Sequence, residues 1–105
     1  MIVSGSLDAL ERFGTALADP IRRQVLLLLL DGPSYPNELL DQIDTSQPNL
    51  SNHLACLRGC GLVLSERQGR RVRYELASEA LAHALNDLVT VELQVDDHEH
   101  MGSGS

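Results

Sequence analysis

Two short helical segments separated by a tight turn, and followed by two short strands, occupy the middle of this chain. The spacing of apolar residues predicts helices at about 36–43 and 47–58. Residues 45–48 suit the cap of the second helix, and Gly59 and Gly61 suit its end. Two short helices across a tight turn, the second opening with polar residues, are typical of a helix-turn-helix. We therefore predict a module in which the second helix reads DNA.

The two strands that follow are predicted to form a β-hairpin. Residues 62–67 and 71–76 flank a link that contains Gly69. From 71 to 76 charged and apolar residues alternate, which is the period of a half-buried strand. A short link with glycine between two such strands is typical of a hairpin. We expect a wing over about 62–76, with its arginine face toward solvent or DNA.

Three further helices are predicted on either side, at about 7–18, 20–30 and 78–95. Asp19 and Pro20 suit the N-cap and first position of the second of them. That helix is apolar nearly all round in its second half, which predicts a central buried helix. The fold class is therefore mainly α with a small β-hairpin wing, a winged helix-turn-helix. The apolar positions of the two outer helices are Leu7, Leu10, Phe13 or Gly14 and Leu17 in the first, and Leu81, Ala84, Leu85, Leu88, Val91 and Val95 in the last.

The aromatic content is very low, with one Phe, two Tyr and no Trp among 105 residues. The core is therefore expected to be aliphatic, and a homodimer that shares apolar helix faces would enlarge it. A single domain is predicted over 1–100, and the Gly/Ser-rich residues 101–105 are interpreted as a flexible end or an artificial addition. The longest apolar run, 25–30, is too short for a membrane span, and residues 1–10 do not resemble a signal peptide. We expect a cytoplasmic protein that does not contact a membrane.

The charge of the chain is unevenly distributed. The net charge is -7, yet all eight basic residues are Arg, and five of them fall in one short stretch. Between residues 45 and 74 the only acid is Glu66, whereas 75–105 holds seven acids and no basic residue. A local basic edge on an acidic protein can still bind phosphates, and the alternative is a merely solvated face. The clustered arginines are Arg58, Arg67, Arg70, Arg71 and Arg73.

The only two cysteines, Cys56 and Cys60, lie four residues apart on the predicted DNA-reading helix. At roughly 100° per residue they share one sector of that helix with Asn49 and His53, beside the core stripe. A pair at this spacing is a candidate metal or redox site, and the alternative is that both thiols act as small hydrophobic fillers. Thiolates suit soft or borderline ions such as Cd(II), Pb(II), Zn(II) or Cu(I). Two ligands make a weak site, so at least one more must come from elsewhere.

An acidic segment near the end of the chain is the candidate source of that ligand. It spans residues 96–100 and contains His98 and His100. We expect it to reach the thiols from the partner chain of a dimer, and the alternative is a solvated helix end.

The other sectors of the DNA-reading helix are predicted to face the core and the DNA. His53 has two alternatives, a phosphate contact or a packed, hydrogen-bonded histidine. The predicted core stripe consists of Leu50, Leu54, Leu57 and Gly61. The small polar face that can enter a groove consists of Pro48, Ser51, Asn52 and Ala55.

Four segments of the chain resemble the ArsR/SmtB family of winged-helix repressors. They are 18–23, 47–54, 57–63 and 68–74, within a similarity that covers about 7–95. The resemblance implies a homodimer built on the first and last helices. It also implies that the dimer binds operator DNA without metal and is released when metal binds.

Residues 51–63 are similar to the cadmium- and lead-sensing members of that family. The resemblance implies that Cys56 and Cys60 are metal ligands, joined in those members by a Cys from the partner's C-terminal tail. This sequence has no such Cys. Either His98 or His100 substitutes for it, or the natural tail is missing.

We predict a metal-responsive repressor whose effector is Cd(II) or Pb(II), with Zn(II) as an alternative and no organic cofactor. Its expected partners are double-stranded operator DNA and a second copy of the chain. Two rival hypotheses stay open, a repressor that senses redox through its thiols and a DNA-binding module whose cysteines only pack. An enzyme is not expected, because no nucleophile–base–acid set and no phosphate-binding glycine loop are present. The predicted DNA-binding residues are Gln47, Ser51 and Asn52 in the groove, Arg58, Arg70, Arg71 and Arg73 on phosphates, and His53.

Overall fold

The computed structural model describes residues 4–95, and within this range five helices and one β-hairpin confirm the predicted fold class. The predictions for residues 1–3, for His98 and His100, and for the Gly/Ser-rich end lie outside the described residues. None of the helices between residues 4 and 95 is both long and apolar enough to cross a membrane. The elements are α1 Ser4–Leu17, α2 Pro20–Leu29, α3 Pro36–Gln42, α4 Gln47–Gly59, β1 Val63–Gln68, β2 Arg71–Leu76 and α5 Glu79–Thr90.

Short polar side chains begin three of the helices. The Asp19 carboxylate accepts hydrogen bonds from the backbone N–H groups of Ile21 and Arg22, at 2.7 and 3.2 Å, and so caps α2. Ser46 Oγ caps α4 and Ser78 Oγ caps α5 in the same way. Each cap satisfies an N–H group that the helix itself leaves without a partner. The predicted start of α2 at Asp19 and Pro20 is confirmed.

The end of α4 is set by a glycine in the left-handed conformation. Gly61 has a φ of 84°, a backbone angle that residues other than glycine rarely adopt. Its N–H donates to the Arg58 carbonyl at 3.0 Å, and the N–H of Leu62 donates to the Leu57 carbonyl at 3.0 Å. This is the Schellman arrangement, in which the residue after the glycine packs back on the helix. Leu62 is buried accordingly and leads into the hairpin.

The wing is a two-stranded antiparallel sheet in which Val63 faces Leu76 and Gln68 faces Arg71. The two remaining residues, Gly69 and Arg70, form the turn, and Gly69 takes the positive φ of 65° that such a tight turn requires. At the base of the wing, Ser34 and Tyr74 exchange two backbone hydrogen bonds of 2.9 and 2.8 Å. These bonds attach β2 to the segment before α3.

One aliphatic cluster forms the core, as the composition predicts. It joins the inner faces of all five helices to the start of the wing. The buried stripe of α4 is the one that the helical wheel predicts, except that Gly61 lies beyond the helix and is exposed. The buried residues are Ala16, Val25, Leu26, Leu29, Leu39, Ile43, Leu50, Leu54, Leu57, Leu62, Val63, Leu81 and Leu85.

Two predictions about the helices are wrong in part. The last helix ends at Thr90 rather than 95, where three consecutive β-branched residues disfavour a further helical turn. In α2 the side chain of Leu27 is 46% exposed, so this helix is not buried all round.

The helix predicted over 7–18 is present as α1, and its apolar positions Leu7 and Leu10 are 56% and 67% exposed in the single chain. They are exposed because α1 packs on the core only toward its C-terminal end.

Candidate nucleic-acid interface and thiol pair

The groove-facing residues predicted on α4 are all exposed. Leu50, Leu54 and Leu57 of this helix are buried, whereas Gln47, Ser51 and Asn52 are exposed. Among residues 4–95, no side chain forms a hydrogen bond with any of these three. Their donors and acceptors are therefore free for base edges, which is the arrangement that direct readout needs.

The arginines of the wing are held differently from one another. Arg73 forms an ion pair with Glu66 across the hairpin, with Nη2 and Oε1 2.6 Å apart. The guanidinium of Arg71 lies 3.5 Å above the centre of the Tyr35 ring. Arg58, at the end of α4, donates to Ser65 Oγ at 3.3 Å. Arg70, at the turn, is exposed and has no hydrogen bond or ion pair to another side chain within the described part of the chain.

The predicted alternation between exposed charged residues and buried apolar residues along β2 is not observed. Arg73 is half-buried, as are all residues from Val72 to Ala77, so exposure does not alternate along β2. The reason is that β2 has neighbours on both edges, β1 on one side and Ser34 on the other. Three of the four arginines predicted to hold phosphates already contact side chains of their own chain.

His53 occupies the packed, hydrogen-bonded position of its two alternatives. Arg22 Nη1 lies 3.3 Å from its Nδ1, and its Nε2 lies 3.6 Å from Asp19 Oδ1. Because a guanidinium can only donate, Nδ1 is the acceptor and the ring proton of the neutral form belongs on Nε2, toward the carboxylate. Burial raises the pKa of Asp19, but backbone hydrogen bonds from Arg22 and Ile21 and the charges of His53 and Arg22 outweigh it. The pKa of Asp19 is lowered as a result.

The same arginine ties α4 to the end of α1. Arg22 donates to the backbone carbonyls of Thr15 and Ala16, at 2.7 and 3.2 Å. Farther along α4, Arg12 of α1 donates to the Gly59 carbonyl at 3.2 Å while its Nε holds Asp8 at 2.8 Å. Two arginines from the first two helices therefore contact the DNA-reading helix, one at its middle and one at its end.

The thiol pair lies close to these two contacts, with Cys56 between His53 and Gly59 and Cys60 directly after Gly59. Cys56 and Cys60 are half-buried and free. Burial raises the pKa of Cys60, and the neighbouring Cys56 raises it further, whereas Arg12 and Arg22 act in the opposite direction. A cavity of about 200 Å³ adjoins Cys60, where α1, the end of α4 and the start of α5 meet.

The two thiols supply the soft donors that the sequence predicts, but only two of them. Within residues 4–95 no three His, Cys, Asp or Glu side chains come together to hold a metal ion. The tail ligands proposed from the sequence, His98 and His100, lie outside the described residues. The donor set fits a soft cation as half of a site.

Three residues that support this region were not identified from the sequence. Arg22 belongs to a segment that carries the family resemblance, but its partners on α1 and α4 are distant in sequence. Arg12 could be paired with Asp8 from the spacing of four residues, yet its contact with Gly59 has no local signal. Tyr35 precedes a proline and shows no pattern that predicts its contact with the wing.

Comparison with known proteins identifies the protein family to which this chain is similar. Residues 19–65 match the family model described as bacterial regulatory protein, arsR family. The chain is 54% identical over 89 residues to the HTH-type transcriptional regulator CmtR of Mycobacterium tuberculosis, covering 85% of this chain and 75% of that protein.

Two solved structures of similar chains cover the same region. The NMR structure of the cadmium metal-sensor CmtR from Mycobacterium tuberculosis aligns with a TM-score of 0.67 at 54% identity, over 83% of this chain and 90% of that one. The solution structure of the homodimeric winged helix-turn-helix DNA-binding domain Mb0332 from Mycobacterium bovis aligns with a TM-score of 0.76 at 30% identity. That alignment covers 82% of this chain and 80% of the other.

Proposed function

Because the chain belongs to the arsR family of bacterial regulatory proteins, we propose that it is a metal-responsive repressor. It binds operator DNA as a homodimer and leaves the DNA when a soft divalent metal occupies the thiol pair. The observation that carries the proposal is the placement of both thiols at the end of the helix that presents the free polar face, with Cys56 in its last turn and Cys60 as its C-cap residue. The family relatives are transcriptional regulators rather than enzymes.

The helix α4 and the wing make different contacts with DNA. Gln47, Ser51 and Asn52 reach base edges in the major groove and specify the sequence. Arg58 and Arg70 contact phosphates, which set register and salt-dependent affinity without reading sequence. His53 is not among the proposed DNA contacts, because its ring already contacts Arg22 and Asp19. Arg71 and Arg73 contribute positive charge to the same edge of the molecule.

The homodimer forms through the outer helices. Leu7 and Leu10 on α1, together with Leu88 and Val89 on α5, are all more than half exposed in the single chain. Burial of such side chains between two copies removes apolar area from water, at about 25 cal/mol per Å². A two-fold dimer places two copies of α4 in successive major grooves, one helical turn apart. A structurally similar chain is described as a homodimeric DNA-binding domain, which supports the proposal.

Cys56 and Cys60 would hold the metal, and His98 or His100 of the partner chain would complete the site. A soft cation such as Cd(II) or Pb(II), with Zn(II) as the alternative, would then join the end of the helix to that tail. The similarity to a protein described as a cadmium sensor supports Cd(II) in particular. Both thiols must lose their protons on binding, so metal binding releases protons and weakens at low pH.

Metal binding at this position would act beside two arginine contacts. Arg12 donates to the Gly59 carbonyl, and Arg22 contacts His53 and the end of α1. Because a divalent cation would compensate the charge of the two thiolates, the link to the partner's tail, rather than charge, would strain these contacts and change the position of α4 relative to α1. Coupling free energies between two sites are typically about 1–3 kcal/mol, which changes an affinity by about 5- to 150-fold.

The test is a Cd(II) titration with two readouts, thiolate-to-metal absorption and the anisotropy of a labelled operator selected from a random duplex library. We expect Cys56→Ser with Cys60→Ser to bind the operator without metal as the wild type does, and to lose both the absorption and the release. His98→Ala with His100→Ala should weaken metal binding, while the matched control His83→Ala, at an exposed position on α5, should not.

If the double serine variant still absorbs and still leaves the operator on metal addition, the thiol pair is not the sensor. Release by peroxide without metal, reversed by added thiol, would favour the redox alternative. Unchanged responses in every variant would leave cysteines that only pack.

A further inference from the structure

The residue just before α3 has a fixed backbone position. The Tyr35 N–H donates to Glu38 Oε1 at 3.0 Å, and the Tyr35 carbonyl accepts from the Glu38 N–H at 2.9 Å. Ser34 Oγ also donates to the Glu38 carboxylate, at 3.1 Å, and Pro36 follows at the first helical position. The backbone of Tyr35 is therefore held firmly at the start of α3, and its side chain extends from this fixed position.

That side chain lies under the tip of the wing. The Tyr35 hydroxyl donates to Gln68 Oε1 at 2.8 Å, and the Arg71 guanidinium lies 3.5 Å above the ring centre. Gln68 and Arg71 are the facing pair that closes the hairpin. Arg71 also donates to Asn37 Oδ1 at 3.4 Å, in the first turn of α3. One tyrosine thus contacts both strands at the end of the wing.

The tip depends on these contacts because the backbone attaches the wing only at its base. The two hydrogen bonds between Ser34 and Tyr74 lie three residues after Arg71, or about 10 Å farther along the strand. A two-stranded hairpin is only marginally stable by itself in water. Beyond the base, the side chains of Tyr35 and Asn37 are what connect the tip to the helix-turn-helix within residues 4–95.

We propose that Tyr35 is a positioning residue for DNA binding, which holds the tip of the wing through Gln68 and Arg71 so that Arg70 reaches a phosphate. The inference rests on the proposed DNA-binding function and adds a residue that touches no DNA. It also gives Arg71 a different role from the one the sequence suggests. Its guanidinium holds the wing in place, and the exposed Arg70 beside it makes the phosphate contact.

If Tyr35 positions the wing, substitution of this uncharged residue should change the salt dependence of DNA binding. Each phosphate contact contributes about one to the slope of log affinity against log salt concentration. Tyr35→Leu removes neither a charge nor a DNA contact, yet it should make the slope of the dimer shallower by up to about two, one for each subunit, as Arg70→Gln does. The loss of affinity should be about three- to tenfold, as expected for a cation–π contact and a hydrogen bond at an exposed site.

The experiment measures anisotropy of a labelled mixed-sequence duplex of about 30 base pairs, long enough for two half-sites, over a series of salt concentrations. The chains are the wild type, Tyr35→Leu, Arg70→Gln and the combination of the two. If Tyr35 acts through Arg70, the combination has the slope of Arg70→Gln and little further loss of affinity. Tyr35→Phe is the matched control, which keeps the ring under Arg71 and should remain within about threefold of the wild type.

Three results would overturn the inference. They are a wild-type slope in Tyr35→Leu, slope losses that add in the combination, and a fall of about two further units, one for each subunit, when Arg71→Gln is added to Arg70→Gln. The last would make Arg71 itself a phosphate contact, and it remains decisive if Tyr35→Leu does not fold. A wild-type chain that binds no duplex at all would overturn the proposed function, whereas Tyr35→Leu equal to a binding wild type would overturn this inference alone.

Discussion

The helix α4 and the wing are both predicted to bind DNA, but they present their polar side chains in different ways. On α4, Gln47, Ser51 and Asn52 are exposed and have no side-chain partner among residues 4–95. On the wing, Arg71 and Arg73 contact Tyr35 and Glu66. The buried stripe of a helix turns its other residues toward solvent, whereas charged residues on a two-stranded hairpin can pair with neighbouring side chains. An exposed position on a helix therefore predicts a side chain that is free to contact DNA better than a charge on a hairpin does.

The largest effect should come from the buried stripe that fixes α4. Leu54 is 1% exposed, and Leu54→Ala should lower the free energy of unfolding by about 2–5 kcal/mol, because it removes buried methyl groups and leaves a cavity. Val72→Ala in the half-buried wing is the matched comparison and should cost clearly less. Urea unfolding followed by circular dichroism measures both. Equal losses would mean that the wing is as tightly packed as the helix, and the comparison would fail.

The next effect concerns the free face of α4. Asn52→Ala should cost about 1–3 kcal/mol of binding free energy on the selected operator, because an unpaired amide is well suited to a base edge. Binding to mixed-sequence DNA should change little, since phosphate contacts stay intact. Anisotropy on the two duplexes separates these terms. The control is Asn49→Ala, whose amide already donates to Thr45 Oγ1 at 2.8 Å. If both variants lose operator binding equally, the free face does not specify sequence.

Local periodicity was enough to predict most of this fold. The stripe of Leu50, Leu54 and Leu57, the cap at Asp19 and the two-strand wing follow from residues close in sequence, and the structure confirms them. Helical geometry also predicts the position of Cys56 on α4, whereas Cys60 is the C-cap residue just beyond the helix; both thiols are half-buried.

What the sequence could not provide are contacts between distant segments. The bond from Arg12 to Gly59 spans 47 residues, and the one from Tyr35 to Gln68 spans 33. Such pairs depend on how helices and hairpin pack, and no local period encodes them. Leu7 and Leu10 are exposed in the single chain, and the proposed homodimer would bury them.

A smaller effect should appear where α4 is tied to α2, in contrast to its free face. The lowered pKa of Asp19 means that its carboxylate binds protons more weakly in the folded than in the unfolded chain. Its stabilising contribution is therefore fully present above the unfolded pKa and is lost as pH falls through the folded pKa. Asp19→Asn should reduce stability at neutral pH and flatten this acid limb. Urea unfolding at several pH values tests it, and an unchanged limb would show that other carboxylates govern acid stability.

The smallest effect is expected from the ion pair of Arg73 and Glu66 on the wing. The two side chains are 32% and 58% exposed, so solvent screens their attraction, and such pairs contribute roughly 0.2–1 kcal/mol. A double-mutant cycle with Arg73→Gln and Glu66→Gln measures this coupling in urea unfolding. The same two variants also sharpen the comparison with α4. If the pair keeps Arg73 from DNA, Glu66→Gln should tighten binding to mixed-sequence DNA, because it frees a guanidinium and removes a negative charge. Weaker binding in Glu66→Gln would instead mean that the ion pair holds the wing in its binding position, as Tyr35 is proposed to do.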